Sequence, residues 1–293
     1  MDFEFLDSGF SDLTSWVTID PEVDWLSVDQ KTNVRIEVFP GFRRVTVCNK
    51  PKWQMIKDKP ADVARCASWD DELDELEPVG QQSGGTHLDP AQRAKRRLFD
   101  LIALTRWDWF VTLTLDPDKI DRKDVKAFSR KLKRYLDNLV QRKGIGYVLV
   151  PEEHKSGGYH AHMLIKGDID VVDSGTVTWI GQKRPVKRES ARKMQIPESM
   201  WQTVYNVPSW KLGYTTAVRT YGSGEELARY VGKYLTKDSD KIFGRRYWHS
   251  RNIKQRPDVI LSACSYVDAK GVEYVNPYTM ERYKIITIKD DVV

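Results

Sequence analysis

The chain has 293 residues, 40% of them hydrophobic and 30% charged, which is enough for one large domain or a catalytic domain with a smaller companion. Its three cysteines, Cys48, Cys66 and Cys264, are too few and too widely spaced for a disulfide scaffold or a cysteine metal knuckle, and predict a reducing, intracellular setting. The net charge of +5 hides a segregation: residues 1–91 carry 9 Lys and Arg against 18 Asp and Glu, leaving 38 against 24 in residues 92–293. A basic segment of that strength, with tryptophans and tyrosines among its charges, fits a partner that is a polyanion with stackable bases.

In chain order, the acidic start Met1-Asp2-Phe3-Glu4-Phe5 lacks the basic flank and apolar run of a signal peptide, and no stretch reaches the length of a membrane span. A soluble protein of the cytoplasm, without membrane partners, is expected. Residues 34–49 alternate as a hairpin around Pro40-Gly41, so residues 1–68 are expected to hold a small β-containing unit. The acidic run from Asp70 and the Gly80-to-Gly85 stretch make 69–90 a linker. Helical spacing over 91–103, with four basic residues early, is followed by the β-branched run Phe110-Val111-Thr112-Leu113-Thr114-Leu115, stopped by Asp116-Pro117. Residues 121–143 return to helical periodicity. A hairpin is predicted over 147–165, then a basic insertion from Lys183 to Lys193, a short helix near 197–206, a strand near 213–221 and a helix from Glu225 to Lys237. Residues 258–293 read as a C-terminal β extension. The predicted class is α+β, with a central antiparallel sheet, the histidine strand in its middle, and flanking helices. No P-loop pattern occurs, which argues against an attached ATPase or helicase.

Two features carry chemistry. His160 and His162 bracket one alanine, so on a strand both imidazoles share a face and approach one cation. Glu152 and Glu153 precede the turn, and the hairpin would bring one of them beside the histidines. In the helix that follows, at about 100° per residue, Leu227, Val231 and Leu235 form one stripe and Tyr230, Lys233, Tyr234 and Lys237 another. The apolar stripe docks while the second faces a cleft. A free tyrosine ionises near pH 10, so a neighbouring cation such as Lys233 would favour the attacking phenolate.

The run 110–115, the stretch Glu152 to His162 and Tyr230-Val-Gly-Lys-Tyr-Leu-Thr-Lys237 occur in the order and spacing of the three motifs of HUH-type rolling-circle replication initiator endonucleases. Over residues 91–257 the chain resembles that superfamily, and looks closest to replication-associated proteins of filamentous and small single-stranded DNA bacteriophages and related plasmids. The resemblance implies an HUH endonuclease domain over 91–257 with His160, His162 and Glu152 as ligands of Mn²⁺ or Mg²⁺. Glu153 and His154 are the alternatives to Glu152, and an odd-length turn would select Glu152. It implies that Tyr230 or Tyr234 attacks the scissile phosphate, leaving a 5′-phosphotyrosine and a free 3′-hydroxyl, and that the strand is later rejoined, with Lys233 assisting. The expected partners are single-stranded or hairpin origin DNA, with a helicase and polymerase of the bacterial host. Lys237 would contact backbone phosphate, and Lys183, Arg184, Lys187, Arg188, Arg192 and Lys193 are candidates for a DNA track. The rival readings are a transposase or relaxase using the same chemistry and a non-catalytic DNA-binding regulator.

Overall fold

The computed structural model describes residues 31–54, 90–121, 124–153, 158–182, 184–235, 245–275 and 280–290. In chain order these form β1 (Lys31–Thr32), β2 (Val34–Phe39), β3 (Phe42–Cys48), β4 (Trp53–Gln54), α1 (Pro90–Ala103), β5 (Trp109–Leu115) and α2 (Val125–Lys143). Next come β6 (Gly146–Glu153), β7 (Tyr159–Lys166), β8 (Val172–Thr178), β9 (Val186–Lys187), α3 (Arg188–Lys193), a 3-10 turn Glu198–Met200 and β10 (Gln202–Asn206). The remainder is β11 (Gly213–Arg219), α4 (Gly224–Val231), β12 (Trp248–His249), β13 (Asp258–Ser262), β14 (Val272–Val275) and β15 (Arg282–Lys289). The fold is α+β. No helix among the described residues is long and apolar enough to cross a membrane.

The chain divides into two compact units, one built from residues 89–256 and the other holding 31–54 and the segment from 257 onward. In the second unit β13-β2-β3-β15-β14 make one antiparallel sheet, with β1 and β4 as a separate pair. The expected hairpin is β2–β3, and the C-terminal strands, which sequence presents as an extension, lie in the same sheet as that hairpin. Val34, Ile36, Val45 and Val47 form an apolar face, because alternate residues of paired strands bury together. The acidic and glycine-rich stretch before Pro90 lies outside the described residues.

The first unit is an eight-stranded sheet in the order β12-β6-β7-β5-β11-β10-β8-β9. One face is packed by α2, whose Phe128, Leu132, Leu136 and Leu139 follow helical spacing into a core with Val111, Leu113, Leu149 and Met163. Asp124 caps α2 by accepting from Ala127 N at 2.9 Å, and Gly144 ends it with φ +64°. That cap places the helix start at Val125 instead of 121. β5 alternates between buried and half-buried residues, so every second side chain is delivered to the face opposite α2.

Two predicted elements are corrected. The segment near 197–206 is a 3-10 turn and strand β10, not a helix: Thr203, Val204 and Tyr205 are β formers, and the strand pairs with β8 on one side and β11 on the other. The tyrosine helix ends at Val231. After Gly232, which donates to Ala228 O, the chain tightens into i→i+3 bonds, Lys233 N to Tyr230 O and Tyr234 N to Val231 O. Glycine's low helix propensity at position 232 accounts for the change of winding. The helix start is a capping box, Ser223 Oγ accepting from Glu226 N at 3.2 Å and Glu226 Oε2 from Ser223 N at 3.1 Å.

Candidate active site

Strand register assembles the site. Glu152 lies opposite His160, and His160 opposite Thr114; one row along, Val150, His162 and Thr112 are aligned across the same three strands. Directly opposed residues of antiparallel strands share a face, so Glu152, both histidines and both threonines project together, on the side away from α2. Five residues separate β6 from β7, and this odd turn sets Glu152 on the histidine face, while Glu153, opposite Tyr159, points the other way. His154 lies outside the described residues.

The histidines are held from behind. Thr114 Oγ1 is 3.1 Å from Nδ1 of His160, and Thr112 Oγ1 is 3.3 Å from Nδ1 of His162. A hydroxyl accepts from Nδ1–H in the tautomer that leaves the Nε2 lone pair for a ligand. His162 is only 2% exposed, and its Nε2 meets Glu152 Oε2 at 2.6 Å. Among the described residues no three His, Cys, Asp or Glu side chains stand together at metal-ligating separations. The donor chemistry nevertheless fits a divalent cation: two imidazoles engaged at Nδ1 and a carboxylate share one face, the carboxylate already beside one ligating nitrogen.

The two tyrosines close over this row. Their hydroxyls are 2.8 Å apart, and the Tyr234 ring stacks on His162 with centroids 3.9 Å apart and planes 18° from parallel. Phe110, on the same face of β5, meets Tyr230 edge-on at 5.5 Å and Tyr234 at 6.4 Å, and so braces both. Burial raises the pKa of both phenols above the ordinary tyrosine value, most strongly at Tyr234, and the Glu152 charge pushes each the same way. The hydrogen bond from its neighbour lowers Tyr230 and raises Tyr234. In this arrangement both phenols are neutral at physiological pH.

The predicted cations are distributed differently from the tyrosines. Lys233 is exposed, and the groups that act on the two phenols are burial, each other and Glu152, not its ammonium. Arg184, Lys187, Arg188, Arg192 and Lys193 lie at the β9–α3 edge, five strands from β7, which is roughly 24 Å at the usual strand spacing. Arg188 there pairs with Asp173, and Arg192 with Glu198 at 3.0 Å while lying 5.5 Å from the Trp201 ring. Lys183 and Lys237 lie outside the described residues.

Sequence reasoning missed Phe110, Thr112 and Thr114 as site residues. It also missed Lys95 of α1, whose Cε would lie 3.7 Å from a Cβ at Gly232, beside the tyrosine turn. The strand parity of 110, 112 and 114 was visible, but only the pairing of β5 with β7 makes it meaningful.

Residues 108–239 match the family of replication-associated proteins of the ORF2 type. The matched segment runs from β5 to just beyond the tyrosine turn and contains Glu152, both histidines, both tyrosines and the two supporting threonines. Helix α1 and the second unit lie outside it. No curated protein and no solved structure matches the chain at a significant level.

Proposed function

We propose that this protein initiates DNA replication by nicking one strand at an origin through tyrosine attack and rejoining it after a round of synthesis. Its similarity to replication-associated proteins supports the replication role. The observation that carries the chemistry is the convergence of two phenols, 2.8 Å apart, on a face that also holds His160, His162 and Glu152.

His160, His162 and Glu152 would hold Mn²⁺ or Mg²⁺, which when bound supplies Lewis-acid withdrawal of charge from a non-bridging phosphate oxygen. Thr112 and Thr114 keep the imidazoles aligned through Nδ1. A tyrosine oxygen attacks phosphorus, the P–O3′ bond breaks, and the chain retains a 5′-phosphotyrosine while the 3′-oxygen leaves and is protonated. The phenol proton departs along the tyrosine pair, whose second hydroxyl is within hydrogen-bond distance. Because the phosphodiester energy is kept in the tyrosyl ester, rejoining is the reverse attack by a 3′-hydroxyl and needs no nucleotide. Phe110 and the shared hydrogen bond place both tyrosines at one site, so each is positioned to take a turn as nucleophile. Lys95 and Lys233 flank the tyrosine turn as contacts for backbone phosphate.

The test is incubation with a labelled pool of single-stranded oligonucleotides and Mn²⁺, followed by a denaturing gel. A covalent protein–DNA band is expected, lost with EDTA and in the double variant Tyr230→Phe, Tyr234→Phe. A band of wild-type intensity from that double variant would overturn the mechanism.

A further inference from the structure

The row that carries Glu152, His160 and Thr114 continues into β11, where the residue opposite Thr114 is Tyr214. Tyr214 therefore stands on the histidine face, two strands from His160, which at the usual strand spacing is about 10 Å. It is 66% exposed, whereas Ala217 on the other face of the same strand is fully buried. Its neighbour on the row alongside, Thr216, is exposed as well, so the sheet beyond the histidines is an open polar surface with one aromatic ring standing from it. Singly exposed tyrosines are ordinary; the position of this one, in line with the reacting groups, is what requires an account.

The support beneath it is rigid. A Cβ on Gly213 would lie 2.1 Å from Thr114 O, so β11 approaches β5 more closely than any side chain at 213 allows, which pins the register at Tyr214. Leu212 O accepts from Asp116 N at 3.0 Å, and Thr215 Oγ1 accepts from Val207 N at 2.8 Å. Trp210, 4% exposed, anchors the β10–β11 connection by donating from Nε1 to Thr114 O at 3.3 Å and by packing edge-on to Tyr135 and Phe128. Lys211, beside this anchor, is exposed and carries positive charge next to the ring. A fixed aromatic with a cation at its side and a phosphodiester site in line with it is a stacking platform for a base of single-stranded DNA.

We infer that Tyr214 stacks a nucleobase adjacent to the scissile phosphate and so sets how the strand is laid across the sheet into the tyrosine–histidine site. This rests on the single-strand nicking reading above and adds a second contact to it. Because stacking involves no charge, it contributes to affinity without contributing to the salt dependence.

The experiment measures binding of fluorescently labelled dT20, and of an abasic strand of the same length, to wild type, Tyr214→Ala and Tyr214→Phe across a salt series. For dT20, Tyr214→Ala is expected to weaken binding between about fivefold and a hundredfold with the salt slope unchanged, while Tyr214→Phe stays near wild type. On the abasic strand all three proteins should bind alike. Equal dT20 affinity of wild type and Tyr214→Ala overturns the platform, leaves the nicking reading standing and assigns the ring to another partner such as a protein. Wild type that binds neither strand overturns the single-strand reading and the platform with it.

Discussion

Replacing Thr112 or Thr114 by valine removes a hydroxyl from behind one histidine while nearly keeping side-chain volume, and the two changes should behave differently. At Thr114 the bond to His160 is 3.1 Å long on a half-buried site, so water replaces the lost partner and stability should change by no more than about 1 kcal/mol. At Thr112 the partner is His162, 2% exposed, whose Nδ1 no water reaches. An unsatisfied buried polar group costs about 1–3 kcal/mol, which for a unit of this size lowers Tm by roughly 2–4 °C per kcal/mol. Both variants should bind Mn²⁺ about tenfold or more weakly, since loss of a partner behind a ligating imidazole typically costs 10- to 100-fold. Thermal unfolding without metal and isothermal titration with Mn²⁺ separate the two effects. The reasoning fails if Thr112→Val is no less stable than Thr114→Val, or if Mn²⁺ affinity is unchanged in both.

Gly213→Ala should be destabilising by about 3 kcal/mol or more in urea unfolding, because the new Cβ would stand 2.1, 2.5 and 2.9 Å from backbone atoms of Thr114, Asp116 and Leu115, none of which can swing aside; a wild-type midpoint would refute it. Tyr147 offers a pH test: burial foremost, and the Asp137 charge after it, push its phenol up to about 12. The folded state holds that proton more tightly than the unfolded chain does, so the contribution is fully present below pH 10 and is lost as pH rises towards about 12. Relative to Tyr147→Phe, wild type should lose stability only within that window, as read by denaturant unfolding at stepped pH, and a flat difference across it would count against the assignment.

Local pattern was enough for the α+β class, the β2–β3 hairpin, α1, α2, β5, the β6–β7 hairpin and the pairing of two histidines on one face, because strand and helix periodicities are written into neighbouring residues. The i, i+4 tyrosines were legible for the same reason. Whether Glu152 or Glu153 joins the histidines depended on turn parity, which five loop residues do not declare on their own. The misread helix near 197–206 shows the limit from the other side: Gln202–Asn206 becomes a strand because β8 and β11 pair with it.

Composition and spacing alone determined that this chain carries a histidine pair and a tyrosine pair on a basic α+β segment. Tertiary structure decided what stands between and around them: Thr112 and Thr114 behind the imidazoles, Phe110 against the phenols, and Tyr214 in line with His160. Those residues are brought together by pairing between strands far apart in the chain, and register between distant strands is a cooperative outcome of the whole sheet. The desolvation that keeps both phenols neutral is decided at the same level, since burial belongs to the packed site and not to any residue's neighbours in sequence.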